Sequence, residues 1–212
     1  RLYVVNDNEA QSFVAAYDTA TGDEIWRTYM IEDTPQPTGT SISGRRLWAP
    51  SGAAIWSAPT IDPTRGVLYV ATGDAYTEPA ADTSDAVVAL DLETGRTVWV
   101  QQTTANDVYV VGCDDETNRG SHCPEVLGPD YDFGQSPILR DLPNGRSILA
   151  IGQKSGIGWG MDPDEVYRKW HWGTESSLQK EVDDDDLPEY LIEAGRLVEI
   201  HYRPLAQNPK RK

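Results

Sequence analysis

The sequence predicts an all-β chain assembled from repeated antiparallel units. Two observations carry this reading. The stretch Ala89–Trp99, ALDLETGRTVW, has a counterpart at Ala16–Trp26, AYDTATGDEIW, and both read A-x-D-x-x-T-G-x-x-x-W. Matched Ala, Asp, Thr, Gly and Trp at identical offsets indicate an internal repeat. Between Ile55 and Gln101, four β-rich segments follow one another between turn signals and end in the second copy. Four antiparallel strands closed by a repeat motif describe one blade of a β-propeller.

Each copy reads as a hairpin. Val87–Leu90 is an apolar strand run. Asp91 can hydrogen-bond its own backbone, and Thr94-Gly95 supplies the residue that tolerates positive φ. Thr97–Val100 then returns as the partner strand, anchored by Trp99.

Upstream, Leu2–Val5 reads as a strand, followed by a polar loop over 6–11 and the first hairpin copy. The chain opens directly inside that strand, so its natural N-terminus is expected upstream, and the lack of a visible signal peptide carries no information. Residues 31–54 are rich in Pro, Gly and Ser and read as a long loop, ordered by Trp48. The expected strands of the full blade are Ile55–Ile61, Gly66–Thr72, Ala86–Leu90 and Thr97–Gln101, with a turn at 62–66. A second long loop spans 101–133. Another blade begins with Gln135–Leu139, Ser147–Gly152 and Gly156–Met161. Gly160-Met161-Asp162-Pro163-Asp164 opens a third copy of the repeat, which is expected to break at Asp164 because no turn glycine follows.

Residues 165–212 differ in composition. The first 164 residues are strongly acidic, whereas the remainder is nearly balanced. Glu181–Asp186 is a solvated charge run. Leu187, Tyr190, Leu191, Ala194, Leu197, Val198 and His201 recur at helical spacing, with Pro188 in the first turn. The expected division is therefore 1–164, a partial propeller, and 165–212, an acidic and amphipathic tail of unknown role that is part helical.

Composition excludes several function classes. A net charge of −16 argues against nucleic-acid binding, which needs a basic footprint. No apolar run approaches the roughly 18 residues of a membrane-spanning helix. His122, His171 and His201 show no zinc spacing. Nucleophile-elbow, Walker and dinucleotide glycine patterns are absent from the sequence. Trp170-His171-Trp172 reads as a small apolar core in the tail, or as a stacking cluster. Cys113 and Cys123, close together in an acidic loop, suggest a disulfide and an oxidising compartment. Two unpaired thiols are the alternative.

The phrases GAAIWSAPTIDPTRGVLYVATGD, SDAVVALDLETGRTVWVQQ, GPDYDFGQSPIL and IGQKSG, in that order, resemble the pyrroloquinoline-quinone (PQQ) dehydrogenases, in particular their polyvinyl-alcohol dehydrogenase branch. The resemblance covers roughly residues 1–164. It implies about three blades of an eight-bladed quinoprotein propeller, a periplasmic or secreted location, and hairpin tryptophans packed between neighbouring blades. It also implies PQQ and Ca²⁺ as cofactors, and oxidation of alcohol or polyol hydroxyls by hydride transfer to the quinone.

By the same resemblance, Trp56 forms the floor under the flat quinone, where stacking contributes about 0.5–1.5 kcal/mol beyond burial. Asp74 falls where the family usually has an Asn ligand to Ca²⁺, and a carboxylate keeps the hard-oxygen role. Asp132 matches the general base that takes the alcohol proton and also touches the metal. Asp130 competes for that position, since on a strand the two would share a face. Lys154 matches the cation that bonds the quinone oxygens. Glu9 lies roughly where the family keeps a further Ca²⁺ ligand, with Asp7 as the alternative. Cys113 and Cys123 match a paired-cysteine loop and are expected to close a short loop over the site. No C-x-x-C-H haem motif occurs in the sequence, so the expected cytochrome c-type electron acceptor lies outside this chain.

Ordinary structural roles compete with each assignment: Trp56 as a core tryptophan, Asp74 as a turn residue, Asp132 and Lys154 as surface charges. A non-catalytic propeller scaffold, or an inactive truncated quinoprotein, would need the hairpins alone. The joint presence of Trp56, Asp74, Asp132 and Lys154 favours the enzyme lineage, and their convergence on one rim is the test.

Overall fold

The computed structural model describes residues 1–5, 11–41, 43–115, 117, 119–120, 122–143 and 145–164, together with the backbone of Lys169–Trp172. These residues form thirteen strands and no helix. Strands β1 (Leu2–Val5), β2 (Phe13–Tyr17) and β3 (Glu24–Tyr29) make a three-stranded sheet, and β4 (Gln36–Thr40) and β5 (Arg46–Ala49) make a separate hairpin. Two four-stranded sheets follow. One contains β6 (Thr60–Asp62), β7 (Val67–Ala71), β8 (Ala86–Asp91) and β9 (Thr97–Gln102). The other contains β10 (Ile138–Asp141), β11 (Ser147–Gly152), β12 (Gly158–Met161) and β13 (Lys169–Trp172). Within each sheet every strand pairs antiparallel with its sequence neighbour. This is the meander of propeller blades, and the chain is a partial β-propeller of about three blades.

The repeat is the hairpin that closes each blade. Ala16 faces Trp26, and Ala89 faces Trp99, in the same register. The turn chemistry is as the sequence indicates. Asp91 Oδ1 accepts the amides of Glu93 and Thr94 at 3.1 and 2.8 Å, and Gly95, at φ 73°, donates back to the Asp91 carbonyl at 2.9 Å. Asp18 accepts from Ala20 and Thr21 in the first copy.

The same turn locks neighbouring blades together. A Cβ on Gly95 would lie 2.5 Å from Trp26 Cε3, so only glycine lets the first blade's indole seat against the second blade's turn. Trp26 Nε1 donates to the Leu92 carbonyl at 3.2 Å, and Thr28 Oγ1 donates to the Gly95 carbonyl at 2.6 Å.

The middle blade is buried on both faces, which explains its near-continuous apolar strands. Leu68, Val70, Val88 and Leu90 pack with Val14 and Trp26 of the first blade. Tyr69, Ala71, Val87 and Ala89 pack with Leu149, Ile151 and Trp159 of the third. At the rim, Arg65 Nη1 pairs with Asp62 at 2.9 Å and Arg65 Nη2 with Asp164 at 2.6 Å, tying the second blade to the third.

Three expectations differ from the structure. The stretch 31–54 is not loop throughout but holds the β4–β5 hairpin. Pro37 and Gly39 flank an irregularity in its pairing, and Gly44 turns the chain at φ 82°. Proline is tolerated there because a two-stranded ribbon is all edge. The expected strand Ile55–Ile61 shrinks to Thr60–Asp62, since the preceding residues leave the sheet to build the site described below. The third repeat does not end at Asp164. That residue lies in the turn, its amide bonded to Asp162 Oδ1 at 2.9 Å, and pairing resumes at Lys169 with Gly160 opposite Trp170. The offset from Gly160 to Trp170 equals that from Ala89 to Trp99; the leading Ala has become Gly160 and the Thr-Gly has become Glu165-Val166, while the Asp and the Trp keep their places. Trp170-His171-Trp172 is thus part of a blade strand. The expected helix over 187–201, the acidic run Glu181–Asp186 and the rest of the tail lie outside the described residues.

Candidate active site

The site forms where two connecting segments cross the end of the middle blade. Backbone bonds lay residues 53–54 against 73–74: Gly73 donates to the Ala54 carbonyl at 2.9 Å and Ala53 to the Asp74 carbonyl at 2.8 Å. Ile55 turns into the core, while Trp56 remains 48% exposed. A tryptophan with half its surface open beside a packed core is a platform rather than a core residue. Two glycines make room at the site, one for the indole and one for Asp132. A Cβ on Gly134 would lie 2.9 Å from Trp56 Cη2, and one on Gly73 would lie 2.4 Å from Asp132 Oδ1.

Asp132 is buried and fully engaged. Its Oδ1 accepts the Asp74 amide at 2.6 Å and its Oδ2 accepts Lys154 Nζ at 2.5 Å, while its carbonyl accepts the Lys154 amide at 3.0 Å. Lys154 Nζ also reaches Asp130 Oδ1 at 2.7 Å and stands 5.5 Å from the Trp56 ring centroid. Carboxylate oxygens of Asp74, Asp130 and Asp132 lie within 4.8 Å of one another. Asp74 Oδ2 is buried and has no hydrogen-bond partner among the described residues.

The electrostatics follow from this crowding. Burial would raise the Asp132 carboxyl, but the Lys154 ammonium and the Asp74 amide outweigh it and hold the group below its ordinary value. Asp74 moves the other way: burial, then the neighbouring Asp132 carboxylate, push it up to about 9. Burial also raises Asp130, with Lys154 opposing. Burial lowers Lys154, but its bonds to Asp130 and Asp132 prevail and hold it well above its ordinary value. The site thus presents one ionised base, one carboxyl that keeps its proton at neutral pH, and one fixed cation beside an open aromatic face.

The structure brings Trp56, Asp74, Asp132 and Lys154 together on one rim. It also separates the two competing aspartates. They do not share a strand face: Asp130 stands in the left-handed region at φ 61° and is half-buried, whereas Asp132 is buried and bonded to the Asp74 segment. Cys113 and Cys123 form a disulfide, so the alternative of two free thiols is overturned. Its loop is rooted beside the site: Tyr109 donates to the Ala75 carbonyl at 2.9 Å, and Ala75 donates to the Asp107 carbonyl at 3.0 Å. Glu9 and its alternative Asp7 lie outside the described residues.

A family model described as the PQQ glucose/ethanol/alcohol dehydrogenase β-propeller domain matches residues 3–114. This chain belongs to that family. A polyvinylalcohol dehydrogenase from a Pseudomonas species is 46% identical over 151 residues, which cover 71% of this chain and 23% of that protein. A second polyvinylalcohol dehydrogenase, from a Sphingopyxis species, is 41% identical over 150 residues, with the same two shares, 71% and 23%. The chain therefore spans about a quarter of the length of these relatives. A solved quinohemoprotein alcohol dehydrogenase from Pseudomonas putida shares the fold, with a TM-score of 0.56 and 24% identity over 81% of this chain and 26% of that one.

Two residues of the site escape a reading of the sequence. Asp85 is fully buried at φ 47°, with neither carboxylate oxygen bonded to a described residue. Burial, then the charge of Asp107, push it up to about 8. Asp107 is also fully buried, and both its oxygens are bonded to backbone amides. Asp85 falls inside the phrase SDAVVALDLETGRTVWVQQ, but only as the residue before a plain strand, and Asp107 lies early in a long loop, so no local signal marks either as a site residue.

Proposed function

We propose that this chain is a section of a PQQ- and Ca²⁺-dependent alcohol dehydrogenase that oxidises alcohol or polyol hydroxyls, and that the site above is its catalytic rim. The observation that carries the reading is the convergence of an open Trp56 face, the Asp132–Lys154 pair and the partnerless Asp74 oxygen. A blade has no packing need for any of the three.

The residues fit both groups. Gly134 passes close beneath the tip of the Trp56 ring without a side chain, and the half-exposed indole is free to stack on a flat ring. The oxygens of Asp74, Asp130 and Asp132 are hard donors within one ion's reach, and the buried Asp74 Oδ2 still lacks a partner. Asp74 and Asp132 would hold the cation, with Glu9 as the expected further ligand, and Trp56 and Lys154 would hold the quinone. When bound, the quinone supplies a two-electron acceptor and Ca²⁺ supplies a Lewis acid.

The remaining chemistry belongs to the chain's own side chains. Asp132, kept ionised by Lys154 and the Asp74 amide, can take the hydroxyl proton of an alcohol at its carboxylate. Lys154, held protonated, presents a fixed positive charge where negative charge develops. Trp56 orients by stacking. The disulfide supports an oxidising compartment, the periplasm or the outside of the cell. A cytochrome c-type protein outside this chain would take the electrons onward.

The test is equilibrium binding of PQQ with and without Ca²⁺, followed by dye-coupled oxidation of short polyols. Ca²⁺-dependent PQQ binding that is lost in Trp56→Ala supports the reading, with turnover lost in Asp132→Asn. PQQ binding that is indifferent to Ca²⁺ and to Trp56 contradicts it.

A further inference from the structure

The carboxylate of Asp132 stands at the end of a long excursion of the chain, and something must set its position. That excursion leaves the middle blade after β9 and returns at Asp130. It is already closed twice, by the Cys113–Cys123 disulfide and by the Gly128 amide on the Val108 carbonyl at 2.8 Å. Asp107 adds a third closure of a different kind. Its Oδ1 accepts the Asp130 amide at 3.1 Å and its Oδ2 accepts the Tyr131 amide at 2.7 Å. Its own carbonyl accepts the Ala75 amide at 3.0 Å. One buried residue thus holds both segments that supply the site's carboxylates, next to Asp74 on one side and next to Asp132 on the other.

We propose that Asp107 is a positioning residue for Asp132. Its carboxylate fixes the backbone at Asp130 and Tyr131, and so aims the Asp132 carboxylate at the Asp74 amide and Lys154. The inference rests on the reading of Asp132 as the base of the site.

Three features show that the clamp is built for this place. Asp130 occupies the left-handed region at φ 61°, a conformation that a residue other than glycine keeps only where its surroundings hold it. Two adjacent amides need two acceptors, and an ionised carboxylate is the side chain that offers acceptors only. The chain also thins to glycine where the clamp passes, since a Cβ on Gly128 would lie 2.2 Å from Asp107 Oδ1. An Asn at 107 would keep the volume but turn a donor toward one of the two amides.

Amide hydrogen exchange on the whole chain separates positioning from mere loop closure. The Asp74 amide is the reporter, because it donates to Asp132 Oδ1 and not to Asp107. In Asp107→Asn the Asp74 amide should exchange about tenfold faster or more, the loss of roughly one hydrogen bond. The Asp130 and Tyr131 amides should accelerate with it, and Val70 and Val88 in the sheet should not. Acceleration at Asp130 and Tyr131 with Asp74 unchanged would overturn the proposal, because the clamp would then serve the loop alone. Gly128→Ala, which pushes the same carboxylate without altering charge, should give the same pattern and decides the matter if Asp107→Asn does not fold. Calcium titration in parallel should show about a tenfold weaker affinity in the variant. A wild-type chain that binds no Ca²⁺ would overturn the proposed function, while the Asp74 amide would still decide the role of Asp107.

Discussion

Asp74 gives the sharpest quantitative consequence of the site. Its carboxyl sits at about 9, raised by burial and by the Asp132 carboxylate. A divalent cation binds the ionised form, so at pH 7 it must displace a proton first. Two units between pH 7 and 9 correspond to roughly a hundredfold in affinity. Calcium affinity should therefore rise about tenfold per pH unit from pH 6 to 8 and level off above pH 9, with about one proton released per ion at pH 7. Isothermal titration calorimetry in buffers of different ionisation enthalpy measures both quantities. Asp74→Asn keeps an oxygen ligand and removes the proton. Its affinity should be nearly flat over the same range, with proton release lost. A wild-type affinity equal at pH 7 and pH 9, or a variant that keeps the slope, would refute the reasoning.

Further consequences concern packing and charge. Gly134→Ala places a Cβ 2.9 Å from Trp56 Cη2 and should weaken PQQ binding by about tenfold, the scale of the stacking term, with thermal stability little changed; unchanged affinity would count against the platform. Gly95→Ala combines a left-handed φ of 73° with a 2.5 Å approach to Trp26, and should destabilise the fold by roughly 2–4 kcal/mol in urea unfolding, whereas a loss under about 1 kcal/mol would contradict the blade lock. Asp85 is raised from 3.8 to about 8, so the folded chain holds an extra proton between those values. The stability that proton supports is present below the unfolded value and is lost as pH rises through the folded one. Asp85→Asn should therefore gain in melting temperature relative to wild type as pH climbs from 4 to 8, and a constant difference would contradict the assignment.

The hairpins were legible because their determinants are local. Asp91, Thr94 and Gly95 bond within one turn, and the same letters at Asp18, Thr21 and Gly22 make the same turn. The third hairpin is hidden in the sequence for the same reason: its turn letters differ while Trp170, ten residues after Gly160, keeps the register. The β4–β5 ribbon was hidden by Pro37 and Gly39, which weigh against a strand in a sheet interior but not in a two-stranded ribbon. The four site residues came from a resemblance in wording, and the fold then supplied what wording lacks. Asp130 and Asp132 were indistinguishable by spacing, and the positive φ at Asp130 separates them. Asp85 and Asp107 were invisible because their meaning lies in partners, or the lack of them, across the tertiary structure. The bonds of Asp107 reach 23 and 24 residues along the chain.

The most direct test is a crystal structure of this chain soaked with PQQ and Ca²⁺. The account predicts the quinone ring stacked on the open face of Trp56 with Lys154 at its edge. The cation should lie between the carboxylates of Asp74 and Asp132. A ring bound elsewhere, or an ion that ignores Asp74 while Trp56 stays bare, would contradict it.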